Sequence, residues 1–176
     1  MKTALHQRLG AVGMTAAIAV LGGGAVLRQC SPRPPAPGPA PASAVGGILP
    51  ISAELVASVN SVRAANGLAP VAENGLLDRA AEDHSLDQAQ RNTMTHAGWD
   101  GSNPGQRIVA AGYSSSTWGE NVAFGQPTVA AVTDAWMNSP GHRAIILSPN
   151  FTELGAAAAA GANGAVYWTM DFAAPK

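Results

Sequence analysis

Two histidines and a glutamate are the residues in this chain whose types and spacing could do chemistry. His96 lies in M-T-H-A-G, Glu120 in W-G-E-N-V-A-F-G, and His142 in W-M-N-S-P-G-H-R-A-I-I-L. Two imidazoles and a carboxylate suit a divalent metal that keeps one position open for water. The same groups could serve as a base and an acid with no metal at all. They come from three separate segments, so spacing does not choose between these chemistries. No G-x-S-x-G elbow, phosphate-binding loop, H-E-x-x-H pair or dinucleotide fingerprint occurs, which removes the support for ordinary serine hydrolase, nucleotide and zincin readings.

The segments around these residues must position them. Leu55, Val59 and Val62 repeat at helical spacing behind Ser52, which reads as the cap, and Gly67 and Pro70 stop this first helix. A second helix is expected over residues 74–92, with Leu77, Ala80, Ala81, His84 and Gln88 along one face. On that alanine-rich face His84 reads as a packed, hydrogen-bonded core histidine rather than a ligand. Asn103-Pro104 is an N-cap followed by proline at the first helical position, and this short helix ends at Gly112. Residues 114–124 enter a strand. Pro127 opens a helix with Val129, Val132 and Trp136 on one face, and Pro140 ends it. In the tail, Val166, Trp168, Met170 and Phe172 alternate with Tyr167, Thr169 and Asp171, and Asn163-Gly164 is a turn signal, so a hairpin is expected. Helices first and in the middle, with strands interspersed and last, point to an α+β layered fold.

A chain of 176 residues holds one domain plus accessories. Only 5% of it is aromatic, so Trp99, Trp118, Trp136 and Trp168 are expected to carry a large share of the burial. The net charge is -1 and no run of Lys or Arg appears, so nucleic-acid binding has no electrostatic footprint. Cys30 is the only cysteine, which excludes an intramolecular disulfide and a cysteine-based zinc site. Lys2 and Arg8 precede an uncharged run over residues 9–27, the layout of a secretory signal. An uncleaved anchor fits too, since about 17–25 apolar residues span a bilayer. Residues 1–30 are therefore assigned to a signal peptide or N-terminal membrane anchor. Residues 31–50 hold most of the prolines and read as an extended linker. The domain is expected over residues 51–174.

The motifs quoted above, with N-F-T-E-L-G at 150–155 and Y-W-T-M-D-F at 167–172, resemble the CAP superfamily. These are SCP-like extracellular domains, named for cysteine-rich secretory proteins, antigen 5 and pathogenesis-related proteins. The likeness is to the bacterial branch, which commonly lacks disulfides, and it runs in consistent order over roughly residues 51–172. It implies an α-β-α sandwich with helices on both sides of a central antiparallel sheet. It also implies a cleft where two histidines and two acidic residues meet, which in some relatives holds a divalent metal. His96 matches the first histidine, Glu120 the G-E-N glutamate and His142 the second histidine. The second acid does not carry over, because Ser139 stands in its place. Asp134 is the nearest carboxylate, but five residues at ~100° each put it about 140° around the helix from Ser139. Met170 stands where relatives often carry glutamine.

His96, Glu120 and His142 are accordingly expected to bind a divalent metal weakly, with zinc the natural candidate. The function expected first is an exported, non-catalytic cell-envelope module that binds a lipid or a cell-wall component. A metal-assisted hydrolase with Glu120 as base is the alternative, and an adhesion or signalling surface the third. The lack of a nucleophile and of one acid favours the first. The protein is expected to be secreted, or held at the envelope by its N-terminal segment.

Overall fold

A computed structural model describes residues 47–176. The basic start, the apolar run, Cys30 and the linker up to residue 46 lie outside the described residues. The tail hairpin forms the centre of the sheet. Strands β4 (Glu153–Ala160) and β5 (Val166–Pro175) pair antiparallel from Glu153↔Ala173 to Ala160↔Val166. Gly164, in the turn between them, has φ 77°, a left-handed value that favours glycine. Strand β3 (Ser115–Phe124) pairs antiparallel with the other side of β5. Two short strands complete the sheet on β4: β1 (Ile48–Leu49), antiparallel, and β2 (Ala72–Glu73), parallel. The order is β1-β4-β5-β3, with β2 also on β4, so β3 is a terminal strand. The sheet is antiparallel as expected, apart from the two-residue β2.

Helices cover both faces. On one face Leu154, Ala156, Trp168, Met170 and Phe172 pack with α1 (Ser52–Ala65), α4 (Val129–Met137) and α5 (Pro140–Ile146), through Leu55, Val59, Val132, Trp136 and Ile146. On the other lie α2 (Gly75–Arg91) and α3 (Pro104–Ala110), where Leu77, Ala80 and Ile108 pack around Tyr113 and Ala173. Ser85 Oγ and Gln88 Nε2 of α2 both donate to Thr169 Oγ1, at 2.9 and 3.0 Å. This is the expected α-β-α sandwich.

The alanine-rich sequence of β4 has a packing reason. A Cβ on Gly155 would lie 2.0 Å from the backbone carbonyl carbon of Leu77 and 2.1 Å from the amide nitrogen of Asp78. The α2 backbone therefore rests directly on β4, and small side chains let helix and strand come close. Close approach does here what bulky side chains do in a more aromatic core.

Most element ends follow local rules. Asn74 caps α2 by accepting from Leu76 N, and Asn92 closes it with φ 49°. Asn103 and Gln106 form a reciprocal capping box at the start of α3. Three expectations need correction. Ser52 is the first helical residue rather than the cap of α1, and its hydroxyl donates instead to Glu73 and Asp78. Pro140 does not simply end a helix: α4 stops at Met137, and Pro140 opens α5, the short helix that carries His142. A proline tolerated at the first turn makes that restart possible, since its missing N–H would have had no helical partner. Trp99 is not core but 53% exposed, while Trp136 and Trp168 are buried.

Candidate functional site

Glu120 lies in the middle of β3 with its side chain buried on the α2/α3 side of the sheet. Arg107, in the last turn of α3, donates from Nη2 to Glu120 Oε2 at 2.5 Å. His96 Nδ1 lies 2.7 Å from Glu120 Oε1. An ionised carboxylate only accepts, so Nδ1 carries the proton, and in the neutral ring Nε2 is left as the free acceptor. Arg107 Nη1 also donates to the carbonyls of His96 and Ser102, at 3.0 and 3.1 Å. One guanidinium thus neutralises Glu120 and ties the loop bearing His96 to α3. The capping box explains why Arg107 is well placed to do so, because it fixes the start of a helix only seven residues long. The His96 side chain itself is 34% exposed.

His142 arrives from the other face of the sheet, on α5. Asn121, the neighbour of Glu120, donates from Nδ2 to the His142 carbonyl at 3.2 Å and so ties α5 to β3. Arg63 secures the far end of α5, donating from Nη1 to the carbonyls of Ile146 and Ser148 at 2.8 and 2.9 Å. Burial lowers the pKa of His142, and the nearby charge of His96 lowers it further. His142 Nδ1 is buried without a hydrogen-bond partner among the described residues. The terminal position of β3 is what lets residues from opposite faces gather around its end of the sheet.

His84 Nε2 makes a 2.7 Å hydrogen bond with the Thr95 carbonyl, and lies 4.0 Å from Glu120 Oε2. Burial is the main cause of its lowered pKa, opposed in part by the charge of Glu120. This is the packed, hydrogen-bonded histidine expected from the alanine-rich helix face.

Among the described residues, no group of three or more His, Cys, Asp and Glu side chains is arranged to hold a metal ion. Glu120 has already given one oxygen to Arg107 and the other to His96. Of the expected set, the two imidazoles are what remains free for a ligand.

The model of the cysteine-rich secretory protein family, CAP, matches residues 56–172. The chain belongs to this family. The CAP domain is 36% identical over 119 residues to the uncharacterized protein YkwD of Bacillus subtilis, a match over 68% of this chain and 45% of that protein. The chain thus spans less than half the length of that relative. Its fold is similar to an outer surface protein from Borrelia burgdorferi, with TM-score 0.68 and 21% identity, over 74% of this chain and 99% of that one. An SCP-domain extracellular protein from Bacillus anthracis gives TM-score 0.63 at 24% identity, over 69% and 39% of the two chains.

The CAP domain does bring a second carboxylate to Glu120, though from an unexpected place. Ser139 precedes α5 and Asp134 is exposed on α4. That carboxylate is Asp171, directly across from Glu120 in the β3–β5 register and fully buried, so it does not stand in for the cleft acid that Ser139 replaces. Neither of its carboxyl oxygens has a hydrogen-bond partner among the described residues. Burial pushes its pKa well up and the charge of Glu120 pushes it further, with Arg107 pulling the other way. The sequence signal was an acid in Y-W-T-M-D-F flanked by strand residues that are all apolar or uncharged. Arg107 offered no signal beyond its place in the helix after Asn103-Pro104.

A raised carboxyl pKa has a definite consequence for stability. The folded state of the CAP domain holds the Asp171 proton to higher pH than an unfolded aspartate, which releases it near ~3.9. The contribution is therefore fully present below that pH and is lost as pH rises towards the folded pKa. Asp171→Asn, which cannot ionise, should gain stability relative to wild type as pH rises above about 4. Urea unfolding of both proteins across that range checks this, and a pH-independent difference would show that Asp171 ionises normally.

Proposed function

We propose that this CAP domain is an exported, non-catalytic binding module of the cell envelope, which takes a lipid or cell-wall ligand at the cleft bearing His96 and His142. The observation that carries this reading is the engagement of Glu120. A general base must come within hydrogen-bond reach of the substrate proton it takes. Glu120 is buried and bonded on both oxygens, so it acts as an orienting group for His96 rather than as the base of a hydrolase. The names of similar proteins, an outer surface protein and an extracellular protein, support the export reading. Among the described residues no helix is long and apolar enough to cross a membrane, and the N-terminal apolar run lies outside them. An N-terminal anchor or cleaved signal over residues 1–30 remains part of the proposal.

A zinc site with Glu120 as third ligand fits this arrangement poorly, because the ion would have to displace Arg107 or His96 from the carboxylate. Any zinc bound here is held weakly, by the two imidazoles. Protein purified from its own host and extracted with organic solvent should yield a ligand near one per chain by mass spectrometry, and His142→Ala should lose it. Zinc titrated calorimetrically into the same two proteins should bind weakly, and more weakly still as pH falls through the histidine range. Recovery of the same ligand from wild type and His142→Ala would overturn the cleft as its site.

One observation favours a second reading, a hydrolase in which His96 is the base. Its Nδ1 is held by a buried carboxylate while the ring edge is exposed, the geometry of a base oriented by a third group. Ester hydrolysis that is lost in His96→Ala would establish it.

A further inference from the structure

The single hydroxyl hydrogen of Ser52 faces two carboxylates. Its Oγ lies 2.6 Å from Glu73 Oε1 and 2.8 Å from Asp78 Oδ1. A hydroxyl brings one hydrogen and two lone pairs. With both acids ionised, that hydrogen is divided between them while their charges repel across it. One added proton resolves this: the protonated carboxyl donates to Ser52, and Ser52 gives its own hydrogen wholly to the other carboxylate. We propose that Ser52, Glu73 and Asp78 form a proton-operated latch, which ties the start of α1 to β2 and α2 in acid and releases Glu73 as pH rises.

The two arms of the latch are unequal. Asp78, in the first turn of α2, also accepts from the Ala156 amide of β4 at 2.9 Å, which fixes it in place. Glu73 is exposed, so it is the arm that can turn to water. It belongs to a strand of only two residues, beside which the Ala72 and Asn74 amides donate to the Thr152 and Leu154 carbonyls, at 2.9 Å each. Asn60 of α1 pins the preceding Val71 through both its amide and its carbonyl, at 2.9 and 3.0 Å. The latch grips the other end of β2, where Glu73 sits.

The surrounding charges leave the two acids to one another. Among the described residues no basic side chain pairs with either of them. Glu153 of β4 is engaged by Tyr113 and Asn74. Glu54 of α1 and Arg79 of α2 are exposed, Glu82 lies one turn further along α2, and Glu73 is the charge that bears on Asp78. Burial raises the Asp78 pKa and the charge of Glu73 raises it further, against the pull of the Ala156 amide and Ser52. The two carboxyls share one proton and titrate as a pair. The latch is therefore complete below the ~3.9 of an unfolded aspartate, and is lost as pH rises through the higher folded value.

The test follows hydrogen exchange of the Asn74 amide in the full chain from pH 3.5 to pH 7, as protection relative to the intrinsic exchange rate at each pH. Protection in the wild type should fall by roughly two- to fivefold over this range, the size of one partly exposed charged contact. Ser52→Ala removes the bridging hydroxyl and should abolish the fall. Every other titration, that of Asp171 included, remains in this variant, so the difference between the two proteins isolates the latch. Glu73→Gln changes an exposed residue and should leave the fold intact. Its amide donates to Ser52 without a titrating proton, so protection should stay at the acid level up to pH 7. A flat wild-type profile, or the same fall in Ser52→Ala or in Glu73→Gln, overturns the proposal.

Discussion

Trp136→Ala is expected to lower the unfolding free energy by ~3–5 kcal/mol, the range for truncating a large buried aromatic. Trp136 is fully buried where α4 meets the sheet and packs within the larger core cluster. Its Nε1 also donates to the Val122 carbonyl of β3 at 3.1 Å, so the alanine leaves both a cavity and a buried acceptor without its donor. Val122 lies two residues beyond Glu120, and the same substitution should loosen the strand that carries the site. Trp136→Phe separates the effects: it keeps most of the volume and loses the N–H, and should cost clearly less than alanine. Urea unfolding of the three proteins checks this. A loss below about 1 kcal/mol for Trp136→Ala, within the range of surface changes, would mean that α4 does not pack as described.

Arg107→Ala should be comparably severe, by ~3–5 kcal/mol, because it leaves a buried carboxylate without its counter-charge. The Glu120 side chain is 1% exposed and that of Arg107 10%, so water cannot readily replace the guanidinium. Removing it would also free the loop held at the His96 and Ser102 carbonyls. Much of the loss is the stranded charge, so the double variant Arg107→Ala/Glu120→Gln should be more stable than Arg107→Ala alone. A double-mutant cycle from urea unfolding measures that coupling. Additive losses would show that Glu120 and Arg107 do not depend on one another, and would remove the basis for treating Glu120 as an occupied, orienting carboxylate.

These two residues mark where local sequence stops being informative. Trp136 could be placed in the core by its helical spacing with Val129 and Val132, which depends only on the chain within a few turns. The same is true of the tail hairpin, with its period-two alternation and Asn163-Gly164 turn, and of α3, with its Asn103-Pro104 start. His96, Glu120 and His142 could be singled out by type and motif, and the family and layered fold followed from those motifs in order. What the chain alone determined, then, was the elements, the family and the residues with chemical potential. Their chemical state was decided by tertiary structure. Asp171 came to lie beside Glu120 through a cross-strand register that pairs β3 with a strand far along the chain, and no local pattern encodes which residue will sit opposite which. Arg107 took both Glu120 and the His96 loop because α3 packs beside β3, turning an apparent metal ligand or base into a paired carboxylate. Trp99 stayed at the surface because its loop is held by its backbone amide on Asp87 rather than by its ring. Charge neutralisation, burial and exposure depend on neighbours distant in sequence, and only the folded chain brings those neighbours together.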